Sequence, residues 1–94
     1  MGAVWTFTDP PDVAVVTLRR IIEQGSPILL VIHEADDGGW QFLDGEDVTA
    51  DDAIVVSLHH IIASDASLRS LVSLPPGWQA RRPGPGHPWQ THHI

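Results

Sequence analysis

Hydrophobic residues fall into short runs along the chain, and turn-forming residues separate these runs. The continuous apolar run over residues 28–32 predicts a central strand that is covered on both faces. The β-branched run over residues 13–18 predicts another strand, and residues 19–24 then form a short helical turn that ends at glycine. Near the N-terminus, residues 4–8 predict an edge strand, because a following Asp-Pro-Pro sequence stops it in a turn.

A β-hairpin is predicted over about residues 28–43. An Asp-Asp-Gly-Gly sequence lies between two apolar runs, and glycine adopts the positive φ that a tight reversal requires. The second strand alternates, so its two aromatic side chains face the core, where aromatic residues of a small protein usually lie. The residues assigned to this structural role are Gly38, Gly39, Trp40 and Phe42.

Residues 53–64 are similar to residues 13–24 at an offset of 40, with matching Val, Leu and Ile positions. Two interpretations are open for this second segment. A capping-box sequence at Thr49 and an apolar helical face favour a single helix over 50–63. The β-branched run and the similarity to the first segment favour a strand over about 54–58 followed by a helix, which is our prediction.

The rest of the chain predicts one more helix and one more strand before its composition changes. Asp65 caps a helix over 66–73, and residues 78–81 form a closing strand. Residues 83–94 are rich in Pro, Gly and His, so we expect a flexible tail unless Trp89 docks on the domain.

The predicted fold class is therefore α+β, with a single domain over residues 1–82. It contains a small mixed or antiparallel sheet with the central hairpin, and one or two short helices pack on this sheet.

Charge and composition narrow the functional classes. Five arginines face twelve carboxylates, and the net charge is −7. This balance argues against binding to nucleic acid or to an anionic membrane, because both attract basic surfaces. No apolar run is long enough to span a membrane, and no signal-peptide pattern begins the chain. Cysteine is absent, which permits a reducing compartment, so we expect a cytoplasmic protein.

Carboxylates are concentrated in one part of the chain, since eight of the twelve lie within residues 34–52. They are either solvated turn residues, a face that attracts a basic partner, or a metal site, although the EF-hand spacing is absent. Exposed aromatic and arginine side chains are a second kind of binding surface, and Trp78 with Arg81 and Arg82 is the best candidate. The candidate partner-binding residues are Glu34, Asp36, Asp37, Asp44, Glu46, Asp47, Trp78 and Arg81.

No motif assigns catalytic, cofactor-binding or metal-binding residues. The serines lie outside any Gly-x-Ser-x-Gly elbow, and no glycine-rich phosphate loop is present. His33-Glu34 resembles the start of a zincin motif, but an aspartate occupies the second histidine position. A structural or exposed role is therefore the simpler interpretation of each histidine.

Residues 36–45 resemble the Gly-Trp-x-Phe-x-x-Gly hairpin of a family of small bacterial domains of unknown function, grouped with immunity proteins of polymorphic toxin systems. The similarity extends over roughly residues 10–82 and includes the Leu-Pro-Pro-Gly-Trp sequence at 74–78. Gln41 stands where some members carry arginine. The resemblance implies an α+β domain and, for some members, toxin neutralisation, and it implies no catalytic residues.

The preferred prediction is a non-enzymatic protein–protein interaction module without a cofactor, whose acidic residues contact a basic protein surface. From the resemblance, this surface belongs to a toxin. One alternative is a small metal-binding or hydrolytic enzyme that uses carboxylates with His33 or His59. Another is a homodimerising accessory domain, in which two chains partly share the apolar faces of residues 28–32 and 54–62.

Overall fold

The computed structural model describes residues 5–94, in which six strands and two short α-helices are joined by turns and two 3₁₀ segments. The strands and helices are β1 (Ala14–Leu18), α1 (Arg19–Gln24), β2 (Leu30–His33), β3 (Trp40–Leu43), β4 (Ala53–Ser57), α2 (Leu58–Ser64), β5 (Trp78–Arg81) and β6 (Gln90–His93). The 3₁₀ segments are Ala50–Asp52 and Ala66–Leu71.

All six strands belong to one mixed sheet in the order β4-β1-β3-β2-β5-β6. β1 and β3 are parallel, and every other pair is antiparallel. The predicted hairpin is confirmed, because β2 pairs with β3 at the centre of the sheet with Val31 opposite Phe42. Thr17 of β1 donates its hydroxyl hydrogen bond to the Phe42 carbonyl at 2.8 Å, which ties the parallel pair together. The α+β fold class is confirmed.

The two similar segments form two strand–helix units, β1–α1 and β4–α2. A strand followed by a helix is confirmed for the second unit, because the β-branched residues of β4 pair with β1. The Thr49 capping box is present, but it opens only one 3₁₀ turn before the strand begins. Gly25 ends α1 with a φ of 72°, a conformation that glycine adopts without strain.

The predicted edge strand over residues 4–8 is wrong for its described part, residues 5–8, which lie outside the sheet. Residue 4 lies outside the described residues. The reason is the aromatic content of this segment: Phe7 is buried and packs edge-on against Trp40, with ring centroids 5.7 Å apart. The segment therefore packs on the core and does not pair as a strand. Burial of an aromatic ring contributes more free energy than its exposure on an edge strand would.

The sheet has two different faces. One face packs against α1, α2 and the segment Ala66–Leu71, which together form the hydrophobic core. Trp40 and Phe42 lie in this core, 4% and 1% exposed, as the hairpin pattern predicts. We call the other side the open face, because most of its strand residues are half-buried or exposed. Alternation along the strands places these residues on it: Val16, Ile32, Gln41, Val55 and Gln79.

The helix predicted over 66–73 is a 3₁₀ segment, Ala66–Leu71. Its predicted cap is confirmed: Asp65 Oδ1 accepts a hydrogen bond from the Ser67 backbone N–H at 3.0 Å. The strand predicted over 78–81 is β5. Within residues 5–94, no helix is both long enough and apolar enough to cross a membrane.

A flexible tail over residues 83–94 is expected only if Trp89 does not dock on the domain. In the structure, Trp89 does dock. The Trp89 ring lies over the Arg82 guanidinium, with the Arg82 Cζ atom 4.2 Å from the ring centroid. Beyond it, β6 pairs with β5 in antiparallel register, so the sheet extends past the boundary predicted at residue 82. The free edge of β5 supplies the backbone hydrogen bonds that this polar segment lacks on its own.

Candidate acidic interaction site

The acidic cluster at residues 34–52 is divided by β3 into two groups. Glu34, Asp36 and Asp37 lie in the turn that precedes β3, and the remaining carboxylates lie in the loop that follows it. Four strand residues separate the groups by at least about 10 Å, since each residue advances about 3.4 Å. The structure therefore does not bring the eight carboxylates together into one continuous negative face.

In the second group, Asp44 is used inside the fold. Arg20 donates to both of its carboxylate oxygens, with Nε 2.5 Å from Oδ2 and Nη2 2.8 Å from Oδ1. The Ser26 hydroxyl and the Glu46 backbone N–H donate to it as well. Because Asp44 is buried and fully engaged, its predicted role as a partner-binding residue is not supported. Arg20 is the counter-ion that the sequence does not indicate.

Arg20 also partly neutralises the rest of this loop. It contacts Asp52 at 3.4 Å and the Asp47 carbonyl at 3.1 Å. The Arg20 hydrogen bonds hold the pKa of Asp44 well below its ordinary value, and Asp44 in turn raises the pKa of Arg20. Hydrogen bonds from Thr49 lower the pKa of Asp52. Glu46 and Asp47 remain exposed at the rim of this network.

We expect Asp44 to make stability depend on pH in the acid range. Its folded-state pKa lies below its unfolded value, so its stabilisation is present above about pH 4 and is lost as the pH falls further. Asp44→Asn should therefore lower the free energy of unfolding at pH 7 and flatten its decrease between about pH 5 and about pH 2. Urea denaturation at several pH values measures both effects. Glu46→Gln is the matched control, and an unchanged pH slope in Asp44→Asn would contradict the assignment.

The first group of carboxylates lines a groove on the open face, with a volume of about 320 Å³. Its rim belongs to the hairpin turn, and its floor belongs to β1 and β3. The residues that line this acidic groove are Ala14, Val16, Glu34, Asp36, Asp37, Gly39, Trp40 and Gln41. It therefore combines three carboxylates with a small apolar surface.

Local hydrogen bonds hold the rim of the acidic groove in place. Gly38 turns the chain with a φ of 73°, and Asp37 Oδ1 accepts from the Gly39 backbone N–H at 2.8 Å. A Cβ atom at Gly39 would lie 3.0 Å from that same oxygen, so a side chain there would displace it. The Glu34 backbone N–H donates to the Gly39 carbonyl at 2.8 Å, and the Gln41 amide donates to the Glu34 carboxylate.

The electrostatics of the acidic groove favour an organic cation from outside the protein. Among the described residues, no arginine forms a salt bridge with Glu34, Asp36 or Asp37. Carboxylates accept two parallel hydrogen bonds from a guanidinium, and the aliphatic stem of such a side chain packs on an apolar floor. Val16 supplies this floor. The sequence does not indicate this role, because Val16 comes to lie beside Gln41 only through the parallel pairing of β1 with β3.

The histidines named in the enzyme alternative have structural contacts. His33 is buried and stacks on Trp40 with centroids 3.8 Å apart. Its Nδ1 lies 2.7 Å from the Leu74 carbonyl oxygen, and its Nε2 lies 3.1 Å from that of Gly38. His59 lies beside the ring of Trp5. Within residues 5–94, no three His, Asp or Glu side chains are arranged to hold a metal ion.

The proposed patch of Trp78, Arg81 and Arg82 is not formed. Trp78 and Arg81 point to opposite faces of β5, because their positions differ by an odd number along a strand. Trp78 is half-buried and packs edge-on against His93, whereas Arg81 is exposed. Arg82 is buried and binds Asp65 at 2.7 Å. Alternation along β5 was the signal that could have separated these residues.

The hairpin motif on which the family prediction rests builds the rim of the acidic groove. Comparisons of the chain with protein-family models, with curated proteins and with solved structures found no match.

Proposed function

We propose that this protein is a non-enzymatic interaction module whose acidic groove receives a basic side chain of a partner protein. The acidic groove itself is the observation that supports this function. Its three carboxylates are at a hydrogen-bonded turn, have no arginine partner among residues 5–94, and adjoin an apolar floor. Such a site suits the long side chain of arginine or lysine, whose charged end and aliphatic stem require these two environments.

The overall charge supports the same class of partner. With a net charge of −7, the chain attracts basic proteins at long range, which increases the rate of association with them. The Arg20 network reduces the attraction at the other end of β3, because Asp44 and Asp52 are already paired there. The acidic groove is therefore the better place for specific contact.

Within this function, we propose an immunity-like role in which the partner is a basic toxin. The hairpin motif supports this role, since its turn forms the rim of the acidic groove. Gln41 lies in the groove at the position where some members of the resembled family carry arginine. A neutral side chain there leaves the groove negative, so binding of a cation is favoured. The proposed location is the cytoplasm, which a chain without cysteine permits.

The test combines Glu34→Gln, Asp36→Asn and Asp37→Asn in one variant. Each amide keeps a hydrogen-bond acceptor at the turn and removes the charge, so folding is preserved. Wild-type protein is used as bait in a lysate of its native host, and the captured protein is titrated against each variant by calorimetry. The triple variant should bind at least about tenfold more weakly, which corresponds to about 1.4 kcal/mol.

The matched control changes Glu46→Gln, Asp47→Asn and Asp51→Asn, which removes the same charge from exposed residues beyond β3. We expect this control to bind within about threefold of the wild type, because long-range attraction alone is reduced. Equal weakening in both triple variants would show a diffuse charge effect and would contradict binding at the acidic groove. Capture of no basic protein by the wild type would contradict the function itself.

A further inference from the structure

The free edge of β4 lacks the usual protection of an edge strand. β4 lies at the end of the sheet and reads Ala-Ile-Val-Val-Ser, with no charged residue and no proline. Natural edge strands usually carry charges, prolines or bulges, because a bare edge pairs readily with another strand. The other edge strand, β6, is polar. Val55 at the middle of β4 is 66% exposed, the largest value among the large hydrophobic residues of the described chain.

The backbone groups on this edge can be assigned from the antiparallel ladder. The Leu58 N–H donates to the Val13 carbonyl at 2.9 Å, and hydrogen-bonded residues alternate along such a ladder. Even-numbered residues of β4 therefore bind β1, and the peptide groups of Ala53, Val55 and Ser57 point outward. The Ala53 N–H is already used by the Ala50 carbonyl, and the Ser57 carbonyl accepts the first hydrogen bond of α2.

The outward groups that remain are complementary to themselves. Val55 offers both its N–H and its carbonyl, Ser57 offers an N–H, and Ala53 offers a carbonyl. An antiparallel copy centred on Val55 pairs the two valines with each other, and it pairs each Ser57 N–H with the Ala53 carbonyl of the other chain. Every outward N–H and carbonyl group that remains on either β4 strand then has a hydrogen-bond partner. A second copy therefore matches this pattern by symmetry.

We propose that a second copy of this chain docks on the β4 edge about a two-fold axis at Val55, so that two six-stranded sheets become one. The register pairs the two chains over Ala53–Ser57, where no charged side chain meets another across the axis. Val16 lies beside Val55 on the open face, so a row of valines crosses the junction. The inference is independent of the acidic groove.

This interface differs from the homodimer interface that the sequence predicts. The apolar faces of residues 28–32 and 54–62 were expected to be shared between chains. In the structure, Ile28, Val31, Leu58 and Ile61 are buried within one chain. The dimer proposed here uses the backbone edge of β4 instead, which is free because β4 is the outermost strand of the sheet.

A single introduced cysteine tests the register, because the natural chain contains none. In the proposed dimer, the two Val55 Cα atoms lie about 5.5 Å apart, within the range that a disulfide spans. Val55→Cys should therefore form a covalent dimer under mild oxidation, as seen by non-reducing electrophoresis. Val48→Cys is the control, since Val48 is exposed but lies outside β4. Equal cross-linking of both variants would overturn the proposed register.

Light scattering tests the dimer without a cysteine. We expect wild type and Val55→Thr to become dimeric at hundreds of micromolar, and Val55→Lys to stay monomeric because two ammonium groups would meet at the axis. Circular dichroism checks that Val55→Lys is folded. A wild type that is monomeric up to about 1 mM would overturn the proposal, since affinity would be weaker than about −4 kcal/mol. The acidic-groove triple variant should still dimerise, so failure of one proposal is distinguishable from failure of the other.

Discussion

Replacing Arg82 with methionine is expected to lower the free energy of unfolding by about 3–5 kcal/mol. The Arg82 side chain is only 3% exposed and pairs with Asp65 at 2.7 Å, while its Nε donates to the Ile28 carbonyl at 3.0 Å. Methionine fills a similar volume but donates no hydrogen bond. The carboxylate and the carbonyl would then lose their partner in a partly buried site, which is the costly way to break an ion pair. Urea denaturation at pH 7 measures the loss.

Arg81→Met is the matched control for Arg82. Arg81 is the neighbouring residue and is exposed, so its replacement should change the free energy of unfolding by no more than about 0.5 kcal/mol. A loss below about 1 kcal/mol in Arg82→Met would contradict the assigned role. It would mean that water replaces the guanidinium, and that Arg82 does not join β5 to the Asp65 turn.

Replacing Phe42 with alanine is expected to cost about 3–5 kcal/mol, because a large buried side chain is removed and a cavity remains. Phe42 is 1% exposed, stacks with Trp40 at a centroid distance of 6.0 Å, and lies opposite Val31 in the hairpin. Small domains have about 5–15 kcal/mol of total stability, so the variant will be close to the limit of folding. Thermal and urea unfolding followed by circular dichroism report the change.

Two further variants make the Phe42 result interpretable. Phe42→Leu should lose about 1–2 kcal/mol, since a branched aliphatic side chain fills most of the site. Gln41→Ala changes the next residue on the opposite face and should lose no more than about 1 kcal/mol. If Phe42→Ala and Gln41→Ala were equally stable, the aromatic face of β3 would not be the core side of the hairpin.

Local patterns in the sequence were sufficient for the elements that form over short distances. The hairpin follows from an Asp-Gly reversal between two apolar runs, and β4 follows from its β-branched residues despite the capping box at Thr49. In each case the residues that determine the element lie close together in the sequence. Short-range turn chemistry and strand propensity therefore agree with the final structure.

Contacts between distant residues account for the differences. Phe7 is buried against Trp40 rather than paired in a strand, and Trp89 orders the last segment through its contact with Arg82. Neither contact has a local signal, because each depends on which surface the rest of the fold leaves uncovered. A strand pattern and a buried aromatic segment look alike when only their own residues are considered.

The candidate site was predictable only where its residues are close together in the sequence. The carboxylates of the hairpin turn were identified from their sequence density, but the pairing of Asp44 with Arg20 crosses 24 positions. The floor of the acidic groove comes from β1, which reaches β3 through a parallel pairing after an intervening helix and strand. Charge density therefore indicates where acids are numerous, and only the fold shows which of them are already neutralised.

The strand order has a practical consequence for attaching a reporter or immobilising the protein. β6 and β4 occupy the two outer positions of the sheet, and five strand spacings separate them, or about 24 Å. Ile94 follows β6 and is exposed. A dye, a biotin or a surface linker placed at this end is remote from Val55, and two strands, β5 and β2, lie between β6 and the groove floor on β3. Binding and self-association can therefore be measured on one labelled preparation.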